Sequence, residues 1–472
     1  MRRIIFFFLL LIIFCPVFSQ NKYVSFRIDS AVRAAMAARQ IPGLQVAVVK
    51  YGIVLKKGSY GVANLEDRVP VTDSTLFPIA SMSKAFTCAA VLLLMEEGKL
   101  NIDDSVGKYF ESLPAGWEAI TIRKLMNHTS GLRDDWDEND IFFKTNTSDS
   151  AFFAALKAAP LKFQPGQAWS YSCGPFVLGL IIAKVSGESY ADFMKHRIFD
   201  KLGMNNTRIN DVEAVIPNRA AGYRLKDNIF YHGKEISSAA QARGDVGVLT
   251  TVTDMIKWYT ALQNGSLLQK KSMELMFAPG LLQDGNKISY GMGWFMSPYR
   301  DQTLISHNGG FRTGFSSVMD MYPEDHVGII ILSNRQGAGT SLIAKDIVGL
   351  FSPDYARASK MDSVPDPDSA RTAYLKNFYL SMGLNLDSTR RIARQLHMKY
   401  YPEEESELRH FRNVTDFTLV KAIQPSTPKS DIFGEQVQGI FIYRVKCEDQ
   451  PTGYFTFFLN PAGKPVYLEK EE

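Results

Sequence analysis

The chain has 472 residues, 46% hydrophobic and 22% charged, with 53 Lys and Arg against 49 Asp and Glu and a formal charge of +4. That length holds two or three domains with sizeable cores. The near-balanced charge argues against nucleic acid or an anionic membrane surface as a partner.

Arg2 and Arg3 precede an apolar run, Ile4 to Phe14, that is too short to span a bilayer. Residues 1–19 therefore read as a signal peptide cut ahead of Gln20. Bulky Phe14 before Cys15 argues against a lipoprotein. The mature chain is expected to be exported, periplasmic or secreted, with no membrane span after leader removal. It keeps Cys88, Cys173 and Cys447, an odd number that leaves at least one free thiol. With no C-x-x-C or H-E-x-x-H pattern, no metal site is expected.

From residue 20 the chain reads as continuously folded. "LQVAVVKYGIVLKKGSYGVAN" holds two strand-like runs around Tyr51-Gly52, a hairpin signal. Residues 85–97 form an apolar run of helical length stopped by Gly98. Helices and loops follow to about residue 240. Strand patterns return in "YGMGWFMS", "TLISHNG", "GFSSVMDMYP" and "HVGIIILSN", and a helix is expected over 338–351. The fold class is thus α/β in the α+β sense, with an antiparallel sheet built from both ends of the domain, flanking helices and a helical insertion. That domain spans 20–352. Pro-containing, polar 353–368 reads as a linker. A small α+β domain, 369–472, should carry helices near 369–383 and 387–400. Its strands fall near 417–425, 438–447 and 453–469, the last broken at Asn460-Pro461-Ala462-Gly463.

A bare S-x-x-K is weak evidence, and the chain has three: Ser81/Lys84, Ser105/Lys108 and Ser426/Lys429. Only Ser81 heads a long apolar helix, where i and i+3 side chains share a face and first-turn amides favour negative charge. A serine hydroxyl needs a base to take its proton, and a desolvated lysine loses charge easily enough to serve. The plainer reading makes Ser81 a helix cap and Lys84 a snorkelling side chain.

Two further segments weigh against the plainer reading. Tyr171 precedes an apolar helix in "FQPGQAWSYSCG", and His307-Asn308-Gly309-Gly310 ends a strand in "TLISHNGGFRTGF". With S-x-x-K, these resemble the three-motif signature of the serine β-lactamase and penicillin-binding protein family. The similarity is to its class C β-lactamase-like branch, which has Y-x-N second and K/H-x-G third. That branch holds D-alanyl-D-alanine carboxypeptidases, lactamases, esterases and D-amino-acid-specific peptidases. Ordered segments from "IPGLQVAVVKYG" to "IILSN", about residues 30–350, carry the resemblance; the C-terminal domain lies outside it.

The resemblance implies a β-lactamase/transpeptidase-like fold and an acyl-enzyme on Ser81. Lys84 would share the serine proton, and Tyr171 would act as general base and later activate water. A tyrosine titrates near about 10, so a cationic Lys84 beside it would have to stabilise the phenolate; which of the two is the base stays open here. The amides of Ser81 and Gly310 would form an oxyanion hole, with Cys173, His307, Asn308 and Gly309 as substrate-binding residues. No metal or organic cofactor is implied. The partner would be a small-molecule or peptide substrate, with a cell-wall origin among the options.

The chain departs from the pattern twice. Cys173 replaces the family asparagine, and a thiol donates and accepts only weakly; this disfavours lactam and peptide turnover more than ester hydrolysis. His307 stands where many lactamases have lysine, and near neutral pH histidine is mostly uncharged. The rival expectation is a catalytically weak penicillin-binding-type module. Cys88, on the Ser81 face but two turns deeper, and Cys173 read as buried fillers. His128 reads as a turn or packing residue, and Asp254 as a first-turn helix residue.

Overall fold

The turn at Tyr51 (φ 50°) and Gly52 (φ 74°) joins the strands Gly43–Lys50 and Ile53–Gly61. Two successive left-handed residues are what a tight hairpin requires to match strand twist. This is a computed structural model, and it describes residues 22–133, 147–234, 238, 244–396, 405–424, 429–430, 433–448 and 450–471. The expected leader, 1–19, and Ser426 lie outside those residues.

Four late strands, Phe295–Tyr299, Gln302–Phe311, Phe315–Tyr322 and Val327–Ser333, form successive antiparallel pairs, and the last of them pairs with Gly43–Lys50. The result is one six-stranded antiparallel sheet closed from both ends of the domain. Gly43–Lys50 is interior to the sheet and buried on both faces, which explains why its sequence is apolar with little alternation. Val46 and Val48 face the helix over residues 22–38 and helix Thr340–Val348, while Ala47 and Val49 face the larger helical core. Ile53–Gly61 forms an edge, where Lys56 and Lys57 discourage further pairing.

Helix Ser83–Glu96 runs through the larger core, buried from Ser83 to Leu94. A helix apolar all round must be covered on every side, here in part by Gly174–Ser186 and by Val252–Asn264, whose Trp258 stacks on Phe86 at 4.0 Å. Gly98 (φ 69°) turns the chain just past its end. Asp254 lies in the first turn of Val252–Asn264 and accepts from the Asn206 amide and the Thr207 hydroxyl.

A second, four-stranded sheet is built from Val414–Ile423, Gly439–Cys447, Gly453–Leu459 and Pro465–Lys470. Asn460 accepts from the Ala462 and Lys464 amides in the turn that breaks the last two strands apart. Helix Ser369–Ser381 packs on this sheet through Leu375 and Tyr379, and helix Leu386–Gln395 follows it. The stretch 353–368 is not a loose tether. Tyr355 and Ala358 are buried, and the Val364 amide donates to Leu419. Polar composition marks it as irregular, but its carbonyls at Asp354 and Ala356 are taken up by Arg300. Among the described residues no helix is long and apolar enough to cross a membrane.

Candidate active site

Ser81 lies in a single 3-10 turn, Ala80–Met82, immediately before helix Ser83–Glu96. It caps neither element, so the capping explanation for this serine fails. The buried Ser83 hydroxyl is used instead, accepting from the Val248 amide at 3.0 Å. Ala80 holds φ 48°, a conformation that costs a non-glycine residue about 1–2 kcal/mol. The strain sits on the residue before Ser81, and the surrounding contacts hold it there.

Lys84 Nζ donates to Ser81 Oγ at 3.3 Å and to the Asp245 carbonyl at 3.2 Å. It also lies 3.5 Å from Asp245 Oδ1, with both side chains 4% exposed. The same ammonium stands 4.8 Å from the centre of the Tyr171 ring. Lys84 therefore contacts Ser81 and stands over the Tyr171 ring, and Ser81 and Tyr171 line one cleft. The pairing with Asp245 is new: a lone aspartate in "ARGDVGV", far along the chain, has no motif to mark it. Burial holds its carboxyl above the ordinary value, and Lys84 beside it offsets only part of that rise.

Tyr171 belongs to an aromatic wall with Trp169, Tyr290 and Phe295. His128, at φ 60°, packs its ring 4.4 Å from that of Tyr171 and accepts at Nδ1 from the Ser172 amide. It is a turn and packing residue, as its sequence suggested, but what it packs on is the candidate base. Burial, with Lys84 and His307 nearby, drives its imidazolium form well below the ordinary range, so it stays neutral.

A cleft of about 680 Å³ is lined by Ser81, Trp169, Tyr171, Asn308, Gly309 and Gly310, among others. Two of the expected substrate-binding residues are buried. His307 is 1% exposed and does not line the cleft. Its Nδ1 donates to the Asn308 carbonyl at 2.6 Å, and its Nε2 lies 3.1 Å from the Tyr290 hydroxyl. Cys173 is fully buried at the N-cap of helix Gly174–Ser186, with its thiol toward Asp245. Both residues support the site from behind. Cys88 is likewise buried, and among the described residues no cysteine is in a disulfide. Ser105 caps the 3-10 turn Val106–Lys108, and Lys108 pairs with Asp104.

The strand bearing Gly309 approaches the Ser81 turn so closely that a Cβ there would meet the Ile79 carbonyl at 2.0 Å and Ser317 Oγ at 2.5 Å. Gly309→Ala must push the strand off the nucleophile turn. A displacement of about 1 Å costs roughly 100-fold in rate. We expect that loss in kcat/KM for p-nitrophenyl acetate, with the far-ultraviolet circular dichroism spectrum retained.

An antiparallel sheet, a buried helix and a serine-lysine-tyrosine cluster at the helix start are the features of the serine β-lactamase and penicillin-binding fold. The chain belongs to the Beta-lactamase family, whose profile matches residues 28–349; it is a family of serine hydrolases. Penicillin-binding protein 4* of Bacillus subtilis is 33% identical over 313 residues, covering 62% of this chain and 68% of that protein. Protein flp of Staphylococcus aureus is 28% identical over 318 residues, covering 65% of this chain and 62% of its own. The chain thus spans about two thirds of the length of these curated relatives. Among solved structures, D-amino acid amidase from Ochrobactrum anthropi SV3 aligns with TM-score 0.57 and 25% identity over 65% of this chain and 91% of that one. The octameric penicillin-binding protein homologue from Pyrococcus abyssi aligns with TM-score 0.60 over 92% of this chain and 96% of that one. At 21% identity the second likeness concerns fold alone.

Proposed function

We propose that the protein hydrolyses an ester or a D-amino-acid peptide or amide through an acyl-enzyme on Ser81. The observation that carries this is the contact of Lys84 Nζ with Ser81 Oγ beside the Tyr171 ring, in a turn where Ser81 has no capping role. In this reading Ser81 Oγ bonds to the substrate carbonyl carbon as its proton leaves, and the amides of Ser81 and Gly310 hold the resulting oxyanion. The leaving group takes a proton, and water then reverses the sequence to free the acid. Asn308 and Gly309, at the cleft, contact the substrate.

Cys173 in place of an amide disfavours β-lactam turnover, although one curated relative is named for penicillin binding. D-amino acid amidase supports an amide or ester of a D-amino acid as the substrate class. The basic, apolar leader-like N-terminus supports export, and a peptide of cell-wall origin then becomes a natural substrate.

Intact-protein mass spectrometry after incubation with a fluorophosphonate, and separately with penicillin, tests the proposal. A fluorophosphonate adduct mapping to Ser81, with turnover of p-nitrophenyl acetate, is the expected result. No adduct, or an adduct on another residue, overturns it. A lasting penicillin adduct without ester turnover would identify the binding-module alternative instead.

A further inference from the structure

Lys84 and Asp245 form a buried ion pair at the centre of the site. A carboxylate at that depth is costly unless its charge is matched. Lys84 is one match. The Cys173 thiol and the Phe176 amide also turn toward the carboxylate, though neither of its oxygens reaches a donor in full hydrogen-bond geometry. Phe176 lies in the first turn of the 13-residue helix Gly174–Ser186, whose N-cap residue, Cys173, makes no side-chain cap. Asp245 therefore brings a negative charge to the positive end of a helix from outside it.

The segment carrying Asp245 is held in register. The Gly244 carbonyl accepts from Thr87 Oγ1 at 2.8 Å. A Cβ at Gly244 would meet the Pro175 carbonyl at 2.3 Å and the Thr87 side chain at 2.7 Å. The nucleophile helix and the helix that follows Tyr171 thus grip residue 244 and deliver the next side chain to Lys84.

Position 173 is where the family pattern places an asparagine able to reach the lysine, and a thiol does that work only weakly. We propose that Asp245 is a positioning residue standing in for that amide: it holds Lys84 as an ammonium between Ser81 and Tyr171, so that Tyr171, not Lys84, takes the serine proton. The proposal rests on the Ser81 acyl-enzyme reading. In the step concerned, the Ser81 O–H bond breaks as Oγ bonds to the carbonyl carbon. The proton goes to the phenolate oxygen, and the carbonyl π pair moves to oxygen. The ammonium keeps its protons and stabilises the phenolate by charge.

The other titratable groups around the pair are Tyr171, Cys173, Cys88, His128 and His307. Burial keeps the Cys88 thiol protonated and His128 neutral, so these two add no competing charge.

Asp245→Asn keeps the shape and removes the charge. Its kcat/KM for p-nitrophenyl acetate at pH 8 should fall at least about tenfold. The alkaline limb of its pH profile should move about one to three units lower, because an ammonium without its counter-charge loses its proton sooner. Asp245→Ala should lose activity too, and adding Cys173→Asn should recover most of it, the amide again reaching Lys84. An Asp245→Asn profile with an unmoved alkaline limb, or no recovery in the double variant, overturns the proposal. A double-mutant cycle of Asp245→Asn with Lys84→Met, followed by urea unfolding of the Ser81→Ala protein, reads the pair without turnover. Coupling is expected there, and its absence also overturns the proposal. If wild-type turnover does not depend on Ser81 while coupling persists, the hydrolase reading fails and the ion pair stands.

Discussion

Ser81→Ala is expected to lower p-nitrophenyl acetate hydrolysis by about 10⁴-fold or more and to abolish fluorophosphonate labelling. The size of the effect follows from Ser81 being the hydroxyl that Lys84 Nζ contacts in the cleft, while the side chains nearest to it along the chain are otherwise committed or buried. The Ser83 hydroxyl is buried and committed to the Val248 amide. The Cys88 thiol lies deeper in the same helix, buried, and pushed toward its protonated form by that burial. Cys173 is fully buried. Because Ser81 caps no helix, its loss should leave the melting temperature nearly unchanged, so a fall in activity cannot be ascribed to unfolding. Residual activity within tenfold of wild type, or a label that persists and maps elsewhere, would remove the acyl-enzyme from Ser81.

The largest expected effect on stability lies at the contact between the two sheets. Arg300 and Glu471 form an ion pair with both side chains 1% exposed. Arg300 Nη2 donates to Glu471 Oε2 at 3.0 Å and to the Ala356 carbonyl, Nη1 donates to Glu471 Oε1 and Thr456 Oγ1, and Nε donates to the Asp354 carbonyl. Thr456 donates to the same carboxylate. Glu471→Ala leaves the guanidinium buried without its counter-charge, which costs about 3–5 kcal/mol, measurable as a lowered urea midpoint. Replacing both partners with apolar residues should cost much less, since no charge is then stranded. Burial works against ionising Glu471, but Arg300 and Lys345 outweigh it and hold the carboxyl below its ordinary value. A depressed folded-state value means the stabilisation is full above about 4.5 and is lost as pH falls through the folded value. Wild type should thus lose stability on acidification, and Glu471→Ala should show a flatter dependence over that window. An unchanged midpoint at pH 7 would show the pair to be energetically idle.

The parts of this molecule that were legible in the sequence are those written in local pattern. Tyr51-Gly52 announces its hairpin because only a few residues tolerate two left-handed positions. The Ser81 helix announces itself by apolar length, and Ser81, Lys84 and Tyr171 by motif and order. Asp245 was not legible, since an aspartate beside glycine in a polar stretch looks like a solvated turn; its meaning comes from a contact 161 residues distant along the chain. The burial of His307 was hidden for the same reason, whereas Cys173 was already legible as a buried filler. Their roles follow from Tyr290 and from Asp245, neither of which any local window contains. Nothing local to Arg300 marks it as buried; the second sheet supplies its partner.

The order of strands in the main sheet carries a cost paid before the protein ever functions. Leu44 pairs with Ser333, so the first strand synthesised waits for nearly the whole catalytic unit before its second neighbour exists. Closing so long a loop is slow compared with local helix formation. Until then an apolar strand has an open edge and an uncovered face, the condition under which nascent chains associate wrongly.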